Sequence, residues 1–273
     1  MTGAPLYCVC LDFDGTIMEY EGDRGWFHPA VIECLNTLEK LDVRWFTNSG
    51  RGIKNQLEVL DLSVERGLRH MPEKMLCGES FIYDRQGESY TDREPWNTKT
   101  REFLRSFHAD VQQRLSGSLE TWMEKYSPKQ TYVLEEATVF LVDPANNQPQ
   151  SLAGEMAGML ADMPHAEVQI NGGYVFVIPD FLGKGAILKE SLLHDRALLD
   201  RTLAIGNDYN DIPMLDGKSA GLTGCPGDAV AGVIREVRRS GGYAASAPGP
   251  LGSVEVIKHH LQKSGKALEF RLL

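Results

Sequence analysis

The spacing of apolar residues divides the chain into three stretches. Residues 6–11 form a short, almost continuous apolar run, the pattern of a strand buried on both faces of a sheet. His28-Pro29 then puts a proline in the first turn of a helix. Val31, Ile32, Leu35, Leu38 and Leu41 follow at the spacing of one helical face. Residues 43–47 predict a second strand, 54–60 a helix and 74–77 a third strand. Strands alternating with helices in this way predict a parallel sheet with right-handed crossovers.

The pattern changes near residue 90. A polar helix is expected over 99–115, then strands over 131–134 and 138–142, closed by the turn-rich Asp143-Pro144-Ala145-Asn146-Asn147. A helix over 151–163 precedes two strands, 167–170 and 174–178, with Asn171-Gly172-Gly173 as a hairpin turn between them. From Lys184 the first pattern resumes: helix 186–199, strand 202–205, a short helix over 212–215, strand 219–222, and helices over 228–238 and 252–262. The expectation is an α/β chain: a Rossmann-like parallel-sheet core built from residues 1–90 and 182–273, interrupted by an α+β unit of order αββαββ at 91–181.

Composition adds limits. With 42% hydrophobic and 24% charged residues the chain is ordinary globular material. A formal net charge of −10 and the lack of any Lys/Arg-rich block disfavour a nucleic-acid partner. The same charge repels phosphorylated molecules at long range, so a phosphate site here needs local neutralisation by a metal ion, a lysine and backbone N–H groups. The five cysteines (Cys8, Cys10, Cys34, Cys77, Cys225) are odd in number and lack zinc spacing, which predicts buried free thiols. The first apolar run is too short for a signal peptide and no stretch is long enough to span a bilayer. A soluble, cytoplasmic protein with no membrane partner is expected, either monomer or dimer.

Chemistry gathers at the ends of the predicted core strands. Asp12-Phe13-Asp14-Gly15-Thr16 follows the first of them, at the carboxyl end of a parallel strand, where such sheets bind ligands. Asp12 is placed to attack phosphorus and carry an acyl-phosphate, and Asp14 to protonate the leaving oxygen and then deprotonate water. Holding a carboxylate beside a phosphate calls for a hard cation, and oxygen ligands favour Mg²⁺. Gly15 permits a tight turn that aims N–H groups at the phosphate. Thr47-Asn48-Ser49-Gly50-Arg51 ends the second strand with hydroxyls and N–H groups suited to phosphoryl oxygens. Lys184 opens a helix between two glycines, where it opposes the helix dipole, so a phosphate or aspartate partner explains it better than capping does. Gly206-Asn207-Asp208-Tyr209-Asn210-Asp211 places a second acidic cluster after another strand. Taken singly, each segment reads equally well as a turn, a cap or a solvated loop.

Together, in this order, the four segments resemble the motifs of the haloacid dehalogenase (HAD) superfamily of phosphatases, and the resemblance covers nearly the whole chain. The insertion between the second and third segments is similar to the C2B cap of the branch that includes Cof-type and sucrose- and trehalose-phosphate phosphatases. The resemblance implies that Asp12 is nucleophile and metal ligand, and that Asp14 is acid/base and a ligand through its carbonyl. It implies that Lys184 steadies nucleophile and phosphate, and that Asn207, Asp208 and Asp211 complete a Mg²⁺ shell. The phosphate falls to Gly15, Thr47 or Ser49, Gly50, Arg51 and Lys184.

Two departures stand out. The branch usually carries an acidic residue where this chain has Asn207, so the site has one negative charge fewer there, with Asp208 next door. A gapless match on Gly50-Arg51 makes Ser49 the phosphate hydroxyl, whereas other branches favour Thr47 at the strand end. The substrate is expected to be a small phosphorylated metabolite, a sugar phosphate above all, chosen by cap residues such as Glu135, Glu136, Asn171 and Tyr174. Two other readings share the motifs: a hexose-phosphate mutase of the phosphomannomutase type, and a non-catalytic sensor of a phosphorylated ligand.

Overall fold

The computed structural model describes residues 6–128, 130–134, 137–142, 148–193 and 196–265. In chain order, β1 (Cys8–Leu11) is followed by a hairpin of β2 (Met18–Glu21) and β3 (Arg24–Phe27). Next come α1 (Pro29–Lys40), β4 (Arg44–Ser49), α2 (Ile53–Glu65), β5 (Lys74–Cys77), β6 (Phe81–Gln86) and β7 (Ser89–Asp92). Then follow α3 (Trp96–Leu115), α4 (Leu119–Tyr126), β8 (Gln130–Leu134), β9 (Ala137–Leu141), α5 (Gln148–Met159), β10 (Ala166–Asn171) and β11 (Tyr174–Pro179). The last stretch holds α6 (Lys184–Ser191), α7 (Arg196–Leu199), β12 (Thr202–Ile205), a 3-10 helix (Tyr209–Met214), β13 (Leu222–Cys225), α8 (Ala231–Arg239), β14 (Tyr243–Ala244) and α9 (Gly249–Lys263). Contacts divide the chain into two units, Met1–Arg93 with Lys184–Leu273, and Glu94–Gly183.

The first unit is built on a sheet of order β14-β13-β12-β1-β4-β5-β6-β7. β1 is central and every residue of it is buried, as its unbroken apolar run requires. It pairs in parallel with β12 and β4, so the ends of these three strands lie side by side. Helix α1 starts where the proline and the apolar spacing placed it. The His28 ring Nδ1 accepts from the Ala30 amide, and Val31, Ile32, Leu35 and Leu38 are buried. The sheet is mixed rather than purely parallel: β6 and β7 extend it antiparallel beyond β5. β6 has only three apolar residues, Phe81, Ile82 and Tyr83, before Asp84-Arg85-Gln86, and β7 is mostly polar, so neither carries a long apolar run; Lys74 and Asp84 pair across the β5–β6 register at 2.7 Å.

Other differences have local causes. The single helix expected over 186–199 is two, α6 and α7. The Ser191 hydroxyl donates back to the Leu188 carbonyl, and the amides of Leu192 and Leu193 bond three residues back rather than four, which ends α6 in a tightened 3-10-type turn. The strand expected at 219–222 lies instead at β13. Ser219 is tied to Pro213 and Asp216, and a Cβ on Gly221 would fall 2.5 Å from Asp200 Cα. All five cysteines are free and buried. Among the described residues no helix is long and apolar enough to cross a membrane.

The second unit has its own antiparallel sheet, order β10-β11-β9-β8. Its core gathers Phe107, Val111, Leu115, Trp122, Phe140, Leu152, Met156, Val175 and Val177. Helix α4 was not expected, although Leu119, Trp122, Met123 and Tyr126 carry the spacing of a helical face. It is anchored by Trp122 Nε1 and the Tyr126 hydroxyl, which donate to the two oxygens of Glu155 at 2.7 and 2.8 Å. Gly172, at φ +55, and Gly173 form the two-residue loop of the β10–β11 hairpin, with Asn171 paired to Tyr174. Glu135, Glu136 and the turn at 143–147 lie outside the described residues.

One buried group gives the first unit a pH signature. His260 on α9 is buried, with Nε2 3.4 Å from the Thr223 carbonyl, and burial lowers its pKa from 6.5 to about 4. In that window the unfolded chain binds a proton that the folded chain refuses, so stability falls as pH drops from 6.5 towards 4. The full effect is about 3 kcal/mol at 1.36 kcal/mol per unit. Other groups titrate in the same range, so the readout is a difference. Urea midpoints at pH 7 and pH 4.5 are expected to show a smaller acid loss for His260→Gln than for the parent chain; equal losses would contradict this account.

Candidate active site

The parallel strand ends bring three of the four chemical segments to one place. Asp12 follows β1, with its amide bonded to the Ile205 carbonyl of β12 at 3.0 Å. Its carboxylate is buried. Oδ1 accepts from Lys184 Nζ at 2.6 Å, and Oδ2 accepts from Thr16 Oγ1 at 3.0 Å. Lys184 is 1% exposed and also donates to Asp211 Oδ1 at 2.5 Å. It opens α6 after Gly183, whose φ is +98. Asn48 on β4 ties the start of α6 to the sheet by donating to the Lys184 carbonyl at 2.9 Å. The lysine expected to find an aspartate partner is thus held between two.

The 206–211 loop is shaped by the same contacts. Asp211 Oδ2 accepts the amides of Asn207 and Asp208 at 2.8 and 3.0 Å, and the Asp208 side chain accepts the Asp211 amide in return, which closes a capping box; Asp208 Oδ1 also accepts from the Tyr209 amide at 2.7 Å. Both Asp211 oxygens are therefore engaged, and the residue turns away from solvent. A Cβ on Gly206 would lie 2.4 Å from Asp211 Cγ, so glycine is required there. Gly15 has φ +74, and a Cβ on it would fall 2.2 Å from Asn207 Nδ2. Residues 15 and 207 can meet only because one of them has no side chain.

The second segment sorts itself by bonding. Thr47 Oγ1 is buried and donates to Gln56 Oε1 at 2.6 Å, and Gln56 Nε2 in turn donates to the carbonyls of Arg51 and Leu76. Thr47 thereby braces the strand ends. Ser49 Oγ accepts the Arg51 amide at 3.2 Å, which leaves its own proton to donate. Arg51, read from the sequence as a phosphate ligand, grips Asp14 with Nε to Oδ2 at 2.9 Å and Nη2 to Oδ1 at 2.7 Å, and touches the Tyr20 hydroxyl at 3.0 Å. The Asp14 side chain is about half exposed, unlike that of Asp12.

The charges are strongly coupled. Burial, and next the Asp211 carboxylate, push the Asp12 carboxyl up to about 7 against the pull of Lys184. Burial works against the Lys184 charge, yet Asp12, Asp211 and Glu79 hold its pKa above the ordinary lysine value. Glu79 had no sequence signal. It is buried and accepts from Asn210 Nδ2 at 2.7 Å. Thr16 and Gln56 were also missed as contributors, although Thr16 closes the first segment.

The arrangement fits a hard cation. Asp12 Oδ2 and Asn207 Oδ1 lie 3.0 and 3.1 Å from the same Thr16 Oγ1. A hydroxyl has one proton and can satisfy only one of the two oxygens, so a shared positive partner serves both better. Among the described residues no group of three or more His, Cys, Asp or Glu side chains is clustered for a metal. A set with few side-chain oxygens, completed by carbonyl and water, suits Mg²⁺, which retains several waters.

Comparison with known proteins places the chain. Its fold is similar to that of the sucrose-phosphatase from Synechocystis sp. PCC6803, solved with sucrose and phosphate (TM-score 0.68, 19% identity, 94% of this chain and 98% of the other). A HAD/Cof-like hydrolase from Plasmodium vivax is also similar (TM-score 0.65, 15% identity, 96% of each chain). So is a HAD subclass IIB sugar phosphatase (TM-score 0.61, 18% identity, 93% of this chain and 98% of the other). No curated protein matches the sequence. The family model for haloacid dehalogenase-like hydrolases matches residues 79–235, more than half of the chain, from Glu79 through Lys184 and the 206–211 loop. The chain belongs to the haloacid dehalogenase-like hydrolases.

Proposed function

We propose that this hydrolase is a Mg²⁺-dependent phosphatase that cleaves a small phosphorylated metabolite, with sugar phosphates as the substrate class, through an aspartyl-phosphate on Asp12. One observation carries the reading. The Asp12 carboxylate is buried at the end of the central strand, with one oxygen fixed by Lys184 and the other beside Thr16 and Asn207. A nucleophile held this way has lost its rotational freedom before the substrate arrives. Mg²⁺, when bound by Asp12, Asn207 and the Asp14 carbonyl, supplies charge neutralisation for a phosphate entering an otherwise acidic site.

The chain's own groups divide the work. Asp12 attacks phosphorus as the ester oxygen leaves; Asp14 donates the proton to that oxygen and then takes one from the water that cleaves the acyl-phosphate. For this the Asp14 side chain must leave its two-pronged contact with Arg51, which makes Arg51 a holder of the resting acid. Ser49, with its free hydroxyl proton, and the exposed strand-end amides receive the phosphoryl oxygens. The inserted unit is assigned the choice of leaving group. Tyr174, 41% exposed at its hairpin, is the candidate among the described residues, with Asn171 beside it.

The test is hydrolysis of an aryl phosphate with Mg²⁺ and after chelation with EDTA, followed by a panel of sugar phosphates. Turnover is expected to fall at least about 100-fold on chelation and to return when Mg²⁺ is added in excess. Isomer interconversion of hexose phosphates without phosphate release would favour the mutase reading. Ligand-induced thermal stabilisation with no turnover of any substrate would favour the sensor.

A further inference from the structure

The ion pairs around Lys184 are out of balance. Lys184 is buried against the carboxylates of Asp12 and Asp211, and the buried carboxylate of Glu79 also acts on it, so among these four groups acidic side chains outnumber the cation. That excess is what a divalent cation cancels. Yet the set that would touch the cation is poor in charge: Asp12 is its one side-chain carboxylate, and Asn207 offers a neutral amide oxygen. Asp211 has both oxygens engaged by Lys184 and backbone amides, and Asp208 caps the 3-10 helix.

Glu79 is built into this place at some cost. It follows β5 at φ +58, a left-handed conformation that a side chain rarely adopts, and it is 3% exposed. The preceding Gly78 donates its amide to the Arg51 carbonyl, which joins the turn to the Ser49–Arg51 segment. A Cβ on Gly50 would lie 3.5 Å from Glu79 Oε1, so the carboxylate stands against the backbone of that loop. The same oxygen accepts from Asn210 Nδ2 at 2.7 Å, and Asn210 is itself buried within the loop that carries Asn207 and Asp211. A carboxylate is costly to bury in this way unless a positive charge answers it.

We propose that Glu79 is a positioning residue for the divalent cation: it fixes the 206–211 loop through Asn210 and supplies, from outside the ligand set, the negative charge that Asn207 does not. This rests on the Mg²⁺ reading above. Groups one layer beyond the ligands typically change metal affinity by about 10- to 100-fold when removed.

The experiment is calorimetric titration of the full chain with Mg²⁺ alone, in the absence of substrate. Glu79→Gln keeps an oxygen for Asn210 and removes only the charge. It is expected to weaken Mg²⁺ binding about tenfold. Adding Asn207→Asp to that variant returns a charge at the ligand position and is expected to restore affinity to within about threefold of the parent. A purely structural Glu79 would not be rescued by a carboxylate at position 207. Glu79→Gly, which removes the left-handed strain along with the charge and the Asn210 bond, is expected to show at least that loss and serves if the glutamine variant does not fold. Affinity unchanged in Glu79→Gln, or a loss that Asn207→Asp leaves in place, overturns the role of Glu79 while leaving the Mg²⁺ reading intact. A parent chain that binds no Mg²⁺ overturns both.

Discussion

Asp12→Asn is expected to lower phosphate release from an aryl phosphate by about 10⁴-fold or more while leaving the fold in place. The substitution removes the attacking oxygen's charge and little else. An asparagine can keep its carbonyl oxygen on Lys184 Nζ and direct its NH₂ at Thr16 Oγ1, which can accept where it now donates. Lys184 retains Asp211 as its partner. The Asp12 carboxyl, pushed up to about 7 by burial and Asp211, is easily neutralised near neutral pH, so an uncharged replacement costs the fold little. The check pairs a phosphate-release assay with a thermal melt: lost turnover with a melting temperature within a few degrees of the parent is the expected result. Retention of more than about a hundredth of the activity would rule out Asp12 as nucleophile and return attack to a water.

Local signals explain how much of this was legible in the sequence. The unbroken apolar run before Asp12 announced β1, and the proline at the start of α1 announced a helix with its buried face correctly aligned. Lys184 between two glycines signalled an unusual helix start. What the sequence hid was closeness through space. Residues 15 and 207 are far apart in the chain yet so near in the fold that a methyl group does not fit between them. That proximity, together with a φ of +74, favours glycine at position 15. Thr47 and Ser49 could not be separated by spacing; what spacing does not show is that the Thr47 hydroxyl donates to Gln56 on the next helix. Glu79 lies in a polar turn of ordinary appearance, and only its burial and its bond to Asn210 mark it. The β2–β3 and β6–β7 hairpins escaped for a different reason: their partly exposed antiparallel strands hold at most three consecutive apolar residues, too short a run to stand out.

Lys184→Met should destabilise the core-forming unit and should do so more at high pH than at low. Methionine matches the lysine stem in length and fills its buried volume, so the change removes a charge without opening a cavity. What remains is Asp12, Asp211 and Glu79 buried around an apolar side chain, with the Asp12–Lys184 and Asp211–Lys184 bonds gone. Breaking a buried pair by removing one partner costs about 3–5 kcal/mol, because the other charge is left without compensation. At about 2–4 °C per kcal/mol for chains approaching this size, the melting temperature near pH 8 is expected to drop by roughly 6–20 °C. The pH dependence follows from the sign of the shift. Losing Lys184 removes the positive charge that pulls the Asp12 pKa down, so the folded value, already about 7, rises further above the unfolded one. A carboxyl whose folded pKa is raised contributes stability below the unfolded value and loses it as pH rises through the folded value. The deficit of Lys184→Met against the parent should therefore shrink when both are melted near pH 5, where Asp12 takes up a proton and the excess charge falls. Millimolar Mg²⁺ at pH 8 should recover part of the same deficit, since a cation beside Asp12 Oδ2 answers the charge that Lys184 answered from Oδ1. A deficit that is equal at pH 5 and pH 8 would show that Lys184 contributes packing alone, and the charge balance assigned to this cluster would fall with it.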